Sequence, residues 1–77
     1  MPELILYVRD GCPYCRKVLQ FLEGQKLTVP LKKISDSEKI RSELISLGGK
    51  SQVPCLSIDG KPLYESDDII EWFKKSA

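Results

Sequence analysis

Five consecutive apolar side chains, Leu4-Ile5-Leu6-Tyr7-Val8, constrain the fold of this chain more than any other stretch. A strand with one wet face alternates apolar and polar residues, so an unbroken run implies cover on both faces, as in the central strand of an α/β sheet. Asp10-Gly11 ends the run, and Pro13 suits the first turn of a helix in which Val18, Leu19 and Leu22 recur at helical spacing up to a capping Gly24. Leu27, Val29 and Leu31 then alternate with Thr28, Pro30 and Lys32, a period-two strand that its proline confines to a sheet edge. Ser35-Asp36-Ser37-Glu38 reads as a capping box for a helix over 36–47, with Ile40, Leu44 and Leu47 as its apolar stripe and Gly48-Gly49 as its stop. Asp59-Gly60 between Cys55–Ile58 and Pro62–Tyr64 is a hairpin signal, with Lys61 available to lengthen the turn. Ser66 suits the cap of a last helix, Asp67 and Asp68 its positive end, and Ile69, Ile70 and Phe73 its buried face, with Trp72 and Phe73 both reading as core.

The order is therefore βαβαββα. A right-handed crossover makes the first two strands parallel neighbours, and the hairpin adds to the other side of strand one. The expectation is an α/β fold, a four-stranded mixed sheet flanked by three helices, with Cys12 just past the carboxyl end of the central strand, where open α/β sheets place their ligands. Seventy-seven residues hold one core, so residues 1–77 are expected to form one domain. Twelve basic against eleven acidic residues leave a formal charge of +1, which gives no field to draw in nucleic acid or an anionic membrane. Met1-Pro2-Glu3 lacks the basic region of a signal peptide, and the apolar run is too short to span a bilayer, so the expected location is cytoplasmic. No apolar stripe is left over, and the expected state is a monomer.

Three cysteines, an odd number with two at C-x-x-C spacing, are not a secreted disulfide framework, and the absence of histidine removes Cys-His pairs and His-ligated metal sites. Cys12 at a helix start is expected to be the nucleophile. Free amides and the helix dipole favour a thiolate there, and Arg9, Arg16 and Lys17 lie close in sequence. Cys15, one turn on, is the expected resolving thiol, which releases the substrate from the mixed disulfide that Cys12 forms. A zinc half-site would have at most three cysteine ligands. Cys55 opens an apolar strand without an x-x-Cys partner and reads as a small buried side chain.

Tyr7-Val8-Arg9-Asp10-Gly11-Cys12-Pro13-Tyr14-Cys15, Gln52-Val53-Pro54 and Glu65-Ser66-Asp67-Asp68, at their spacing, resemble the glutaredoxin family over nearly the whole chain. The resemblance implies a thioredoxin fold, no permanently bound cofactor, glutathione as co-substrate, and protein disulfides or glutathionylated proteins as substrates. By resemblance, Val53 beside a cis Pro54 meets the glutathione cysteinyl unit, and Ser66 and Asp67 hold the γ-glutamyl end. Arg9 and either Lys50 or Gln52 meet the glycine carboxylate, and Tyr14 lines the groove. One segment departs from the pattern: Tyr64-Glu65 stands where glutaredoxins usually carry Gly-Gly, and Pro-Cys-Leu with Tyr-Glu-Ser resembles the glutathione-binding domain of glutathione transferases. Two rival readings follow, an electron-carrier redoxin recharged by a flavoprotein reductase and a metal- or Fe–S-binding glutaredoxin-like protein. The duller readings are that Ser66, Asp67 and Asp68 only cap a helix, that Arg9, Lys50 and Gln52 are solvated surface, and that Pro54 only begins a strand.

Overall fold

The computed structural model describes residues 3–76 and carries the expected element order: β1 (Leu4–Val8), α1 (Pro13–Gly24), β2 (Leu31–Lys33), α2 (Glu38–Gly48), β3 (Cys55–Ile58), β4 (Lys61–Tyr64) and α3 (Ser66–Ser76). The four strands form one mixed sheet in the order β2-β1-β3-β4, with β1 parallel to β2 and antiparallel to β3. This is the thioredoxin fold. The unbroken apolar run of β1 is explained by its central place. Leu4, Leu6 and Val8 pack with α1 and α3 residues such as Val18, Leu22, Ile69 and Phe73, whereas Ile5 and Tyr7 pack with α2 residues Ile40, Leu44 and Leu47. Burying side chains of this size on both faces is the main driving force for such a small sheet, at roughly 1.5–3 kcal/mol each.

Local boundaries differ from the sequence expectation in four places, each with a cause. The second strand begins at Leu31, not Leu27: Pro30 has no N–H to pair, its carbonyl accepts from Leu6 N at 2.9 Å, and Leu27 N instead bonds Leu22 O at 2.9 Å as α1 ends. Gly24 is the last residue of α1, and Lys26 takes the left-handed conformation after it, at φ 57°. The N-cap of α2 is Ser37, whose hydroxyl accepts from Lys39 N at 3.2 Å, because Ser35 is drawn off to Asp10: its Oγ donates to Asp10 Oδ2 at 3.2 Å. Glu65, not Ser66, caps α3: its carbonyl accepts from Ile69 N at 3.0 Å, and Ser66 is the first helical residue. The Asp59-Gly60 turn keeps to two residues, both at positive φ, and Lys61 pairs directly with Ile58. The expected α3 face is buried at Ile69 and Phe73 but only half-buried at Ile70. Trp72 meets Phe73 edge to face at 5.1 Å.

Candidate active site

β1 ends at Val8 and α1 starts at Pro13, so the four-residue connection carries Cys12 to the carboxyl end of the sheet and makes it the N-cap of α1. Its extended backbone, with φ −92° and ψ 113°, turns the side chain back over the first turn, where Sγ accepts a hydrogen bond from Cys15 N at 3.3 Å. Both thiols are free, and Cys12 retains 6% of its surface against 1% for Cys15. Burial is the largest influence on Cys12 and pushes its pKa up. The Cys15 thiol, the backbone amides of Cys15 and Tyr14, and the Arg9 charge together outweigh it, so the thiol lies below its ordinary value. Burial, then the hydrogen bond to Cys12 and the charge on Cys12, push Cys15 up to about 12. One thiol is thus poised to ionise and its neighbour to stay protonated.

One groove adjoins this pair at Tyr14, and a second cleft holds it. Towards β3 and β4 a groove of about 330 Å³ is lined by Tyr14, Gln52, Val53, Pro54, Glu65 and Ser66. The Val53-Pro54 peptide bond is cis, as the resemblance implies. Towards β2 a second cleft of about 220 Å³ holds Cys12 and Cys15 together with Arg9, Arg16 and Lys33. Tyr14, 64% exposed, stands over the first groove as an open apolar surface.

The expected binding residues are therefore not all brought together. Tyr14, Gln52, Val53, Pro54 and Ser66 converge, but Arg9 lines the opposite cleft, and Lys50 sits with its ammonium 4.4 Å from the Tyr64 ring centre. Of the three groups expected at a glycine carboxylate, Gln52 alone lines the groove, and its Nε2 donates to Glu65 Oε1 at 3.2 Å. Asp67 is ion-paired with Lys17 across the α1–α3 contact, so Lys17 serves Asp67 and does not add to the charge at Cys12. Glu65, in the left-handed region at φ 71°, puts a carboxylate in the groove where the family pattern has glycine. The Tyr64-Glu65 departure was the sequence signal for it; the Lys17 pairing had none, because it depends on how α1 packs on α3. Among the described residues no three His, Cys, Asp or Glu side chains converge as metal ligands.

A family model described as glutaredoxin matches residues 4–63. The chain belongs to the glutaredoxin family. A glutaredoxin-like 8.6 kDa protein in a rubredoxin operon of Clostridium pasteurianum, itself uncharacterised, is 31% identical over 71 residues, which cover 86% of this chain and 95% of that one. Glutaredoxin 3 of Escherichia coli (strain K12) is 26% identical over 69 residues, 90% of this chain and 83% of that one. Among solved structures, glutathione transferase Omega 3C from Trametes versicolor superposes with a TM-score of 0.82 at 27% identity, and the match covers 96% of this chain and 33% of the transferase. Membership of the family carries thiol–disulfide oxidoreductase activity, and the asymmetric thiol pair at the start of α1 is the chemistry such an activity needs.

Proposed function

We propose that this glutaredoxin uses glutathione to reduce glutathionylated proteins and protein disulfides, with Cys12 as nucleophile and Cys15 as resolving thiol. The observation that carries the reading is the pairing of a depressed Cys12 with a Cys15 held protonated, on either side of the Tyr14 that lines the Val53–Pro54 groove. Cys12 thiolate attacks the glutathione sulfur of a mixed disulfide, the Cys12–S bond forms as the substrate S–S bond breaks, and the protein thiol leaves. A second glutathione thiolate then attacks the sulfur attached to Cys12 and departs as glutathione disulfide. With a protein disulfide, Cys15 supplies the second thiol. In the groove the cysteinyl backbone of glutathione pairs with Val53 beside Pro54 and packs on Tyr14. Its γ-glutamyl carboxylate meets the unpaired amides at the start of α3, at Ser66 and Asp67, with the ammonium on Asp67 and the glycine end towards Gln52. On this reading the protein acts as a cytoplasmic monomer on thiol substrates, without a resident cofactor and without nucleic-acid or membrane partners. No described helix is long and apolar enough to cross a membrane.

The electron-carrier reading keeps two observations in its favour: Lys17 already occupies Asp67, and Glu65 adds a carboxylate beside the expected γ-glutamyl position. Turnover of a glutathionylated substrate by glutathione, in wild type, Cys12→Ser and Cys15→Ser, separates the two. Loss in Cys12→Ser with retention in Cys15→Ser is the expected result. No wild-type turnover with glutathione, alongside disulfide reduction once a flavoprotein reductase is supplied, would replace the proposal with the electron carrier.

A further inference from the structure

The Cys12 thiol lines a basic cleft, and the groove next to it at Tyr14 carries charge of the other sign, although the whole chain is close to neutral. Because the sheet runs β2-β1-β3-β4 and Cys12 follows β1, one cleft opens towards β2 and the other towards β3 and β4. The β3–β4 groove carries one charged side chain, Glu65. The β2-side cleft carries Arg9, Arg16 and Lys33 against a single carboxylate, Asp10. That carboxylate is already held by Lys33 Nζ at 3.4 Å and by Ser35 Oγ at 3.2 Å. Two positive charges are therefore in excess beside Cys12, and all four charged side chains of this cleft are solvent-exposed.

A disulfide has two halves, and each needs a place at the attacking sulfur. If the glutathione half occupies the neutral-to-acidic groove, the other half leaves over the basic cleft. We propose that this cleft, through Arg16 and Lys33, receives the protein half of the substrate and favours proteins with aspartate or glutamate next to the reacting cysteine. The inference rests on the glutathione reading above for the orientation of the two halves. In the step concerned, the Cys12–sulfur bond forms while the substrate S–S bond breaks, and the electron pair goes to the departing protein thiolate, which takes a proton from water. The cationic cleft steers an acidic chain towards Cys12 and suits the negative charge that develops on the departing sulfur.

The test uses three disulfides: a glutathionylated peptide with aspartates flanking its cysteine, the same peptide with lysines there, and the mixed disulfide of glutathione and 2-mercaptoethanol. Single-turnover rates with pre-reduced protein read the attack by Cys12 without relying on glutathione as reductant. At low salt the acidic peptide should react about tenfold faster than the basic one, a preference of the size that a few solvent-exposed ion pairs supply. It should shrink in 0.5 M salt, fall to about one in Arg16→Gln/Lys33→Gln, and invert in Arg16→Glu/Lys33→Glu. The mixed disulfide with 2-mercaptoethanol, whose departing half is uncharged, gives the rate to which each variant's peptide rates are referred, so that changes common to all disulfides, folding included, drop out. Equal rates for the two peptides in wild type, or a preference that survives the double substitutions, would overturn the inference. A charge preference in single turnover without multiple turnover by glutathione would sustain it and sink the glutathione reading alone.

Discussion

Cys12 and Cys55 are both buried thiols at the edge of a regular element, yet their surroundings push them in opposite directions. Cys12 caps α1, and backbone amides, the Cys15 thiol and the nearby Arg9 outweigh its burial. Cys55 begins β3, fully buried against Tyr7 and Leu44 under α2, and there burial wins over the Leu63 backbone and the Lys50 charge, so its pKa rises. The same side chain is favoured as a thiolate at one end of the sheet and as a thiol within it, because a helix start points unpaired N–H groups at sulfur while a strand spends its own on the neighbouring strand. Cysteine count therefore says little about this molecule; the position of each thiol relative to backbone donors says most of it.

The largest test of that contrast is alkylation of the native, reduced protein at pH 7. Iodoacetamide should modify Cys12 about a thousandfold faster than Cys55, since thiolate fraction and access both favour the former, and mass spectrometry reads the sites directly. Modification of Cys55 at a similar rate would break the comparison. On the α2 side, a Cβ at Gly48 would lie 1.6 Å from the Tyr64 hydroxyl, so Gly48→Ala should cost about 1–3 kcal/mol by denaturant melting and leave Cys12 reactivity untouched. Arg9→Gln should raise the Cys12 pKa and slow alkylation at pH 6 severalfold, with little change at pH 10. The Tyr64 hydroxyl is buried without a hydrogen-bond partner among the described residues, so Tyr64→Phe should be neutral or stabilise by less than about 1 kcal/mol.

Stability should also fall at high pH. Cys15 and Tyr7 both stand at about 12 in the folded protein, above their ordinary values, so their contributions are fully present below those values. They are lost as the pH rises from about 9 to 12, because the unfolded chain releases those protons first. A melting temperature that does not change between pH 8 and 11 would contradict the burial of these two groups.

Much of the fold was legible because the informative residues act locally. Leu4–Val8 announced a strand covered on both faces, Asp59-Gly60 announced its turn, and Cys12-Pro13 announced a helix start. What stayed hidden depended on tertiary partners. Ser35 looked like a cap until Asp10, brought alongside by the β1–β2 pairing, claimed its hydroxyl. Leu27 and Val29 alternated like a strand, but Pro30 delayed pairing until Leu31. At the site, the groove residues 52–54 were legible as a segment, while the diversion of Lys50 to Tyr64 and of Lys17 to Asp67 required the packing of helices and strands that no local pattern encodes. The charge difference between the two clefts is of the same kind, since Lys33 joins the cleft of Cys12 only through the sheet order.

The most direct test of the central claim is the pH dependence of thiolate formation at each cysteine of the reduced protein, followed by absorbance at 240 nm and by site-resolved alkylation in wild type and Cys15→Ser. The account predicts that Cys12 titrates alone, below the usual thiol range of about 8.5, and that Cys15 remains protonated beyond pH 10. Titration of Cys12 and Cys15 together at or above about 8.5 would contradict it.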